Sequence, residues 1–227
     1  MEVTIRHNPA FAVGRVALAG GEAVRVESGA MMATSDGVQI EAKMEGGLLK
    51  SLKRATLGGE SLFITTFTAP PPGGWVDVAA NLPGDLIVAS VSPDQPINVT
   101  RGSWICSSPS VELDTKWGGF KNAFGGEGGF LIHAGGQGTL VMSCYGALET
   151  YQLAAGERLV LDTGHTVAYS AAVQMSIRKA SGGVVQSLKS GEGLVFEFGG
   201  PGWVMAQSRN PSALITWLTQ ALPFSRQ

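Results

Sequence analysis

The sequence predicts an all-β protein built from three tandem, pseudo-symmetric β units and finished by one C-terminal α-helix. Three observations carry this expectation. Runs with an apolar residue at every second position recur along the chain, as in Ala23-Val24-Arg25-Val26-Glu27 and Val38-Gln39-Ile40-Glu41-Ala42, and period-two alternation marks half-buried strands. Gly, Pro, Asn or Asp interrupts these runs about every 8–12 residues, the rhythm of a sandwich or barrel. Finally, one pattern occurs three times: Gly29, Gly102 and Gly164 each stand nine residues before a valine, Val38, Val111 and Val173. An internal repeat constrains the architecture before any single residue is interpreted.

The elements follow in the same order in each copy. Before the marker glycine lies a strand (Ala23–Glu27, Ile97–Thr100, Arg158–Asp162), and after the valine lies another. Gly46-Gly47, Gly118-Gly119 and Gly182-Gly183 then open a stretch of variable length that ends in Gly59-Glu60, Gly126-Glu127 and Gly191-Glu192. An apolar run follows each glutamate, and a further glycine leads to a last strand in which Trp75-Val76, Leu140-Val141 and Trp203-Val204 are aligned. Each unit therefore holds five or six short strands. The marker glycines 29, 102 and 164 are 73 and 62 residues apart, longer than the roughly 20–50 residues of a solenoid rung. The units are placed at 1–83, 84–145 and 146–210.

A single helix is expected over 211–222. Asn210 suits the N-cap, Pro211 is tolerated in the first turn, and Pro223 stops the element. Leu214, Ile215, Leu218, Ala221 and Leu222 share one face at helical spacing. That stripe must lie on something, either an open end of the β structure or a neighbouring subunit.

Glycine accounts for 32 of 227 residues, about twice the usual ~7%. Its regular placement between apolar runs argues for tight turns rather than disorder. A net charge of −2 gives no global positive field to draw the chain onto nucleic acid or an anionic membrane. The amino terminus has neither the apolar core of a signal peptide nor the Arg- and Ser-rich character of a transit peptide. No run approaches the ~18 apolar residues of a membrane span, so a cytoplasmic protein is expected. Cys106 shares a column with Ala33 and Ala168, and Cys144 with Ala80 and Ser208. Both columns hold small residues, so both thiols are expected to pack as small apolar groups.

The residues offer little chemistry. His7, His133 and His165 are far apart and none has a ligand partner at i+2, i+3 or i+4, so no metal site is expected. Neither a Gly-x-Ser-x-Gly elbow nor a Gly-x-x-x-x-Gly-Lys-Ser/Thr loop occurs, which leaves serine hydrolysis and phosphate binding without support. Glu60, Glu127 and Glu192 recur at one position, but equivalent carboxylates held apart by pseudo-symmetry cannot supply two differently tuned groups at one site. The expectation is a protein with no enzymatic activity and no cofactor.

The combination of Gly-Gly-Leu-Leu-Lys-Ser-Leu-Lys-Arg at 46–54, Gly-Gly-Glu-Ser-Leu-Phe at 58–63, Gly-Gly-Glu-Gly-Gly-Phe at 125–130 and Gly-Pro-Gly-Trp-Val with Gln207 resembles the bacterial branch of the altered-inheritance-of-mitochondria 24 family, a domain of unknown function. The resemblance covers essentially the whole chain. It implies three domains like the tryptophan RNA-binding attenuation protein, each a shortened double-stranded β-helix of a type that assembles into rings, and it implies homo-oligomers without enzymatic activity. Mitochondrial members are associated with inner-membrane organisation, and the lack of a transit peptide keeps that location from transferring.

Surface candidates come from the variable stretches, since length variation at a fixed place in a repeat maps to a loop on one face. The first stretch alone is basic, with Lys50, Lys53 and Arg54. The second carries Trp117, Phe120, Lys121 and Phe124, and aromatics on an outer loop favour interfaces. The leading reading is an oligomeric scaffold or interaction protein, with a protein partner that the sequence does not identify. A nucleic-acid-binding ring and a small-ligand binder using clefts between repeats are the alternatives. Apolar surface that one chain cannot cover, together with three units per chain, predicts a closed homotrimer or a multiple of it.

Overall fold

Short alternating runs between glycine turns fold here into nineteen strands and one helix among the described residues. The structure, a computed structural model of the full chain, describes residues 1–44, 63–114, 131–179 and 194–222. The all-β class with one C-terminal helix is as the sequence predicts. The strands are β1 (Glu2–Arg6), β2 (Val13–Leu18), β3 (Ala23–Glu27), β4 (Met31–Thr34), β5 (Gln39–Met44), β6 (Phe63–Thr68) and β7 (Gly74–Ala79). There follow β8 (Leu86–Val91), β9 (Ile97–Thr100), β10 (Trp104–Ser107), β11 (Val111–Asp114), β12 (Leu131–Gly136) and β13 (Gly138–Ser143). The last set is β14 (Leu148–Leu153), β15 (Arg158–Asp162), β16 (Thr166–Ser170), β17 (Gln174–Lys179), β18 (Leu194–Gly199) and β19 (Gly202–Gln207), before helix α1 (Pro211–Ala221).

All pairings between strands are antiparallel, and they form four sheets: β1-β2-β7-β4, then β5-β6-β3-β10-β13-β8, then β11-β12-β9-β16-β19-β14, and finally β15-β18-β17. One scheme underlies them. The first strand of each six pairs with the sixth (β2·β7, β8·β13, β14·β19), the sixth with the third, and the second with the fifth, which also pairs with the fourth. Neighbouring sets join where the third strand of one pairs with the second strand of the set before it (β10·β3 and β16·β9). Strand β1 stands outside the scheme and covers the edge of β2.

Three apolar cores separate the four sheets. Val16, Leu18, Val76 and Val78 face Val24, Val26 and Phe67 in the first core, which also receives Ile105, Cys106 and Val141. Trp104, Leu140 and Met142 meet Val99, Ile132 and Ala134 in the second. Tyr169 and Val204 meet Phe196 and Phe198 in the third, where the Tyr169 and Phe198 rings are tilted with centroids 5.1 Å apart. Strands β10 and β13 thus send alternate side chains into two cores and are buried on both faces, as strands at the middle of a stack must be.

Local devices recur with the pairing. A β-bulge interrupts the third strand at one column, between Met31 and Ala33, Trp104 and Cys106, and Thr166 and Ala168. Ser35, Ser108 and Ser170, six residues after the marker glycines, each accept a backbone N–H from the start of the sixth strand, at Trp75 (3.0 Å), Thr139 (3.1 Å) and Trp203 (3.4 Å). Register corrects one sequence alignment: Thr34, Ser107 and Tyr169 pair with Val76, Leu140 and Val204, so Leu140 matches Val76 and not Trp75. The glycine-rich entry to β13 had slipped the alignment by one residue.

The marker glycines do not all act alike. Gly29 and Gly102 have φ of +93° and +83° with nothing near an added Cβ, so backbone conformation alone selects glycine there. Gly164 lies in a 3-10 turn (Thr163–His165), and the Asn210 amide occupies the place of its Cβ. Asn210 caps α1 by accepting the Ser212 N–H (2.9 Å), and Pro211 opens the helix as the sequence predicts. No residue of α1 is buried, and Ile215 and Trp217 are 63% and 61% exposed. Among the described residues the helix stripe is no more than half-buried, at Leu214 and Leu218.

Candidate functional site

In each set, the turn after the second strand and the connection leaving the sixth strand fall at the same end of the stack, and there they border a cavity of about 480 Å³. Glu27 and Asn81 line it from the first set, Arg101 and Tyr145 from the second, Thr166 and Phe196 from the third, and the start of α1 closes one side. Leu82, Ile105 and Leu131 supply apolar wall. Burial pushes the Glu27 carboxyl above the usual carboxylate range, and the Arg101 charge pulls the other way. The columns of these residues read Glu27, Thr100, Asp162 and Ser28, Arg101, Thr163, so the guanidinium belongs to one copy alone, while the third copy repeats a carboxylate in the Glu27 column.

Gln207 holds the wall together. Its side-chain carbonyl accepts the Tyr145 N–H (2.8 Å), its amide donates to the Gly164 carbonyl (2.9 Å), and its own backbone carbonyl lies 2.7 Å from His165 Nδ1. Gln207→Ala is expected to cost about 1–3 kcal/mol, since a half-buried backbone donor and acceptor, at Tyr145 and Gly164, lose their partners together. Urea unfolding monitored by tryptophan fluorescence measures that loss.

Other groups are committed to structure. His133 Nδ1 lies 2.9 Å from Asn98 Oδ1, while His7 stands in a turn with φ of +59°. Cys106 is fully buried between the first core's strands, and burial pushes its thiol up to about 12. Cys144 is buried on the cavity side; burial raises its thiol too, and its Sγ donates to the Gly146 carbonyl (3.4 Å). Neither is a ready thiolate nucleophile. Among the described residues, no three His, Cys, Asp or Glu side chains gather as a metal set.

A second polar cluster escaped the sequence reading. Asp77 on β7 is 2% exposed and takes a two-pronged ion pair from Arg15 (Nε–Oδ1 and Nη2–Oδ2, both 2.8 Å), with Arg6 Nη2 also 2.8 Å from Oδ2. Arg15 in turn lies 3.9 Å from the centre of the Trp75 ring. The sister residues of Asp77 are Val141 and Met205, which pack on the core of the preceding set. Only the first copy carries a charge in this column. The hydrogen bond from Arg15, reinforced by Arg6, holds the Asp77 carboxyl below its ordinary value. A lowered native pKa stabilises the fold above the unfolded value of ~3.9, and that gain is lost as pH falls through the native value. Asp77→Asn is therefore expected to lose about 1–3 kcal/mol at neutral pH and to show a shallower fall in stability between about pH 5 and pH 2; denaturant titrations across that range test it.

The sequence candidates Lys50, Lys53, Arg54, Trp117, Phe120, Lys121 and Phe124 lie outside the described residues, as do Glu60, Glu127 and Glu192. No helix among the described residues is long and apolar enough to cross a membrane.

A protein from Streptococcus pyogenes serotype M6, described as uncharacterised, is 28% identical over 233 residues, spanning 99% of this chain and 92% of that protein. An X-ray crystal structure of a Streptococcus pyogenes protein matches with a TM-score of 0.81 at 26% identity, covering 97% of this chain and 99% of the other. The family model for mitochondrial biogenesis AIM24 matches residues 3–209. That match runs along nearly the whole chain, and the chain belongs to the mitochondrial biogenesis AIM24 family.

Proposed function

We propose that this protein is a non-enzymatic scaffold whose copies close head to tail into a ring. The carrying observation is that the stack begins and ends on half-sheets. Each inner six-stranded sheet joins three strands of one set to three of the next, whereas among the described residues β4 and β15 each pair on one side only. The half-sheet β17-β18-β15 of one copy and β4-β7-β2 of another supply the two halves of one more such sheet.

Exposure supports this closure. Met32 is 56% exposed, but its sisters Ile105 and Val167 are 2% and 0% exposed in the cores of the preceding sets. Val160 on β15 is 48% exposed where Asn98 on β9 is 1%. The ends thus show as surface what the inner junctions bury, and such edges are templates for further pairing. Asp77 with its two arginines, in place of an apolar sister, keeps the leading end soluble before it meets a neighbour. Three sets per chain favour a homotrimer, a ring of nine equivalent sets, or a multiple of it. Light scattering at micromolar concentration tests this: three times the 23.6 kDa chain mass is expected, and a lone monomer overturns it. Val160→Asp buries a charge at the seam and is expected to weaken assembly at least tenfold, read as a shift in the concentration of half-dissociation.

A second reading, binding of a small polar metabolite, is favoured by the 480 Å³ cavity and its Glu27–Arg101 contrast. Its support would be thermal stabilisation by a compound that fails to stabilise Arg101→Ala.

A further inference from the structure

We propose that the outer edge of β8 is a docking edge for an extended segment of a partner protein, added as a strand in the way that β1 is added to β2. This concerns a surface distinct from the β4 and β15 ends and stands without ring closure. The same edge occurs three times in the pairing scheme, on β2, β8 and β14, and among the described residues the chain fills only the first of them. There β1 runs antiparallel with Val3 opposite Val16 and Ile5 opposite Gly14, and both side chains pack on the first core. The outward face of β1 is polar, with Thr4 opposite Arg15 and Glu2 opposite Ala17.

On β8 the sisters of Gly14 and Val16 are Ile87 and Ala89, which are half-buried against the second core. Among the described residues nothing pairs with the far side of this strand, and Val88 is 41% exposed. The sequence Leu86-Ile87-Val88-Ala89-Ser90-Val91 contains no charge, no proline and no glycine. Those are the devices with which edge strands are normally blunted against pairing. Strand β14 differs, because Glu149 replaces Ile87 at the position that an incoming apolar residue would meet. The chemistry of the β8 occupant follows from β1. It is a segment of about five residues with apolar side chains at its second and fourth positions and polar ones between. Main-chain hydrogen bonds supply affinity and the alternate apolar residues supply specificity.

The probe is the capped, fluorescently labelled peptide Glu-Val-Thr-Ile-Arg, the sequence of β1. Saturable binding in fluorescence anisotropy is expected, with slowed deuterium uptake confined to 86–91 and its partner strand. Replacing the peptide's Val and Ile by Asp is expected to weaken binding at least tenfold. N-methylation of the backbone, either at Val and Ile or at Thr, is expected to do the same in one of the two series, the one whose N–H groups face β8. The protein variant Ile87→Lys should lose binding while keeping a cooperative melt, and Ala89→Glu serves should that variant not fold. No saturable binding, binding unaffected by either methylation series, or protection at 13–18 in place of 86–91 each overturns the proposal.

Discussion

A chain carrying cysteine at both Thr34 and Val160 is expected to link to its neighbours on oxidation, not to itself, and to give a covalent ladder ending at a closed oligomer. The register comes from the inner junctions. Strand β10 meets β3 with Cys106 opposite Val26 and Ser107 opposite Arg25, and β16 meets β9 with Ala168 opposite Val99 and Tyr169 opposite Asn98. Carrying those columns to the ends places Ala33 opposite Leu161 and Thr34 opposite Val160. Directly opposed residues of antiparallel strands bring their Cβ atoms to ~4.5–5.5 Å, close to the separation a disulfide requires. Cys106 and Cys144 are buried, so they contribute little background. Non-reducing electrophoresis after mild oxidation should show bands at two and three chain masses, with the last one dominant. Shifting one cysteine to Ser35 breaks the register and should abolish the ladder. A product at one chain mass with an internal disulfide would mean that the ends close within a chain, and an unlinked oligomer would place the contact elsewhere.

How much of this was legible in the sequence depends on whether the signal is local. Alternation at Val24-Arg25-Val26 and the glycine–valine spacing are set by the pleat and by a tight turn, with positive φ at Gly29 and Gly102 and a 3-10 turn at Gly164, and all act within a few residues. The N-cap Asn210 and Pro211 likewise mark the start of α1, and the helix ends at Ala221, one residue short of the sequence estimate. The pairing of β10 with β3 and of β16 with β9 had no such signature. Any alternating strand offers the same ladder, so register between distant strands emerges only from the cores they bury. The Asp77 cluster was lost for a related reason, since its partners Arg6 and Arg15 stand 71 and 62 residues away in the chain and no local pattern joins them. A cleft between repeats is among the sequence expectations, but the residues that line this cavity were illegible because its wall is assembled from turns of all three sets, no one of which carries a motif.

Trp104 and Ala134 give the most severe test of the core. Both belong to the second core and both are essentially inaccessible, at 1% and 0% exposure. Their columns read Met31, Trp104, Thr166 and Phe67, Ala134, Phe198. Where the third strand carries the large ring the fifth strand carries alanine, and where the fifth carries phenylalanine the third carries a smaller side chain. Met31 is 38% exposed, so the exchange of volume is read from the two buried copies, Trp104 with Ala134 and Thr166 with Phe198. Trp104→Ala is expected to cost about 3–5 kcal/mol through the cavity it leaves, enough to threaten a fold whose whole stability is of order 5–15 kcal/mol. Ala134→Phe alone overfills the same space, at about 1–3 kcal/mol. The double variant should be more stable than Trp104→Ala by at least ~1 kcal/mol, a coupling of the size that neighbours in one core display. Denaturant unfolding of all four chains at one protein concentration measures the cycle, since assembly would otherwise shift each midpoint by mass action. Strict additivity would show that the two side chains do not share space, and that the columns differ for some reason other than volume.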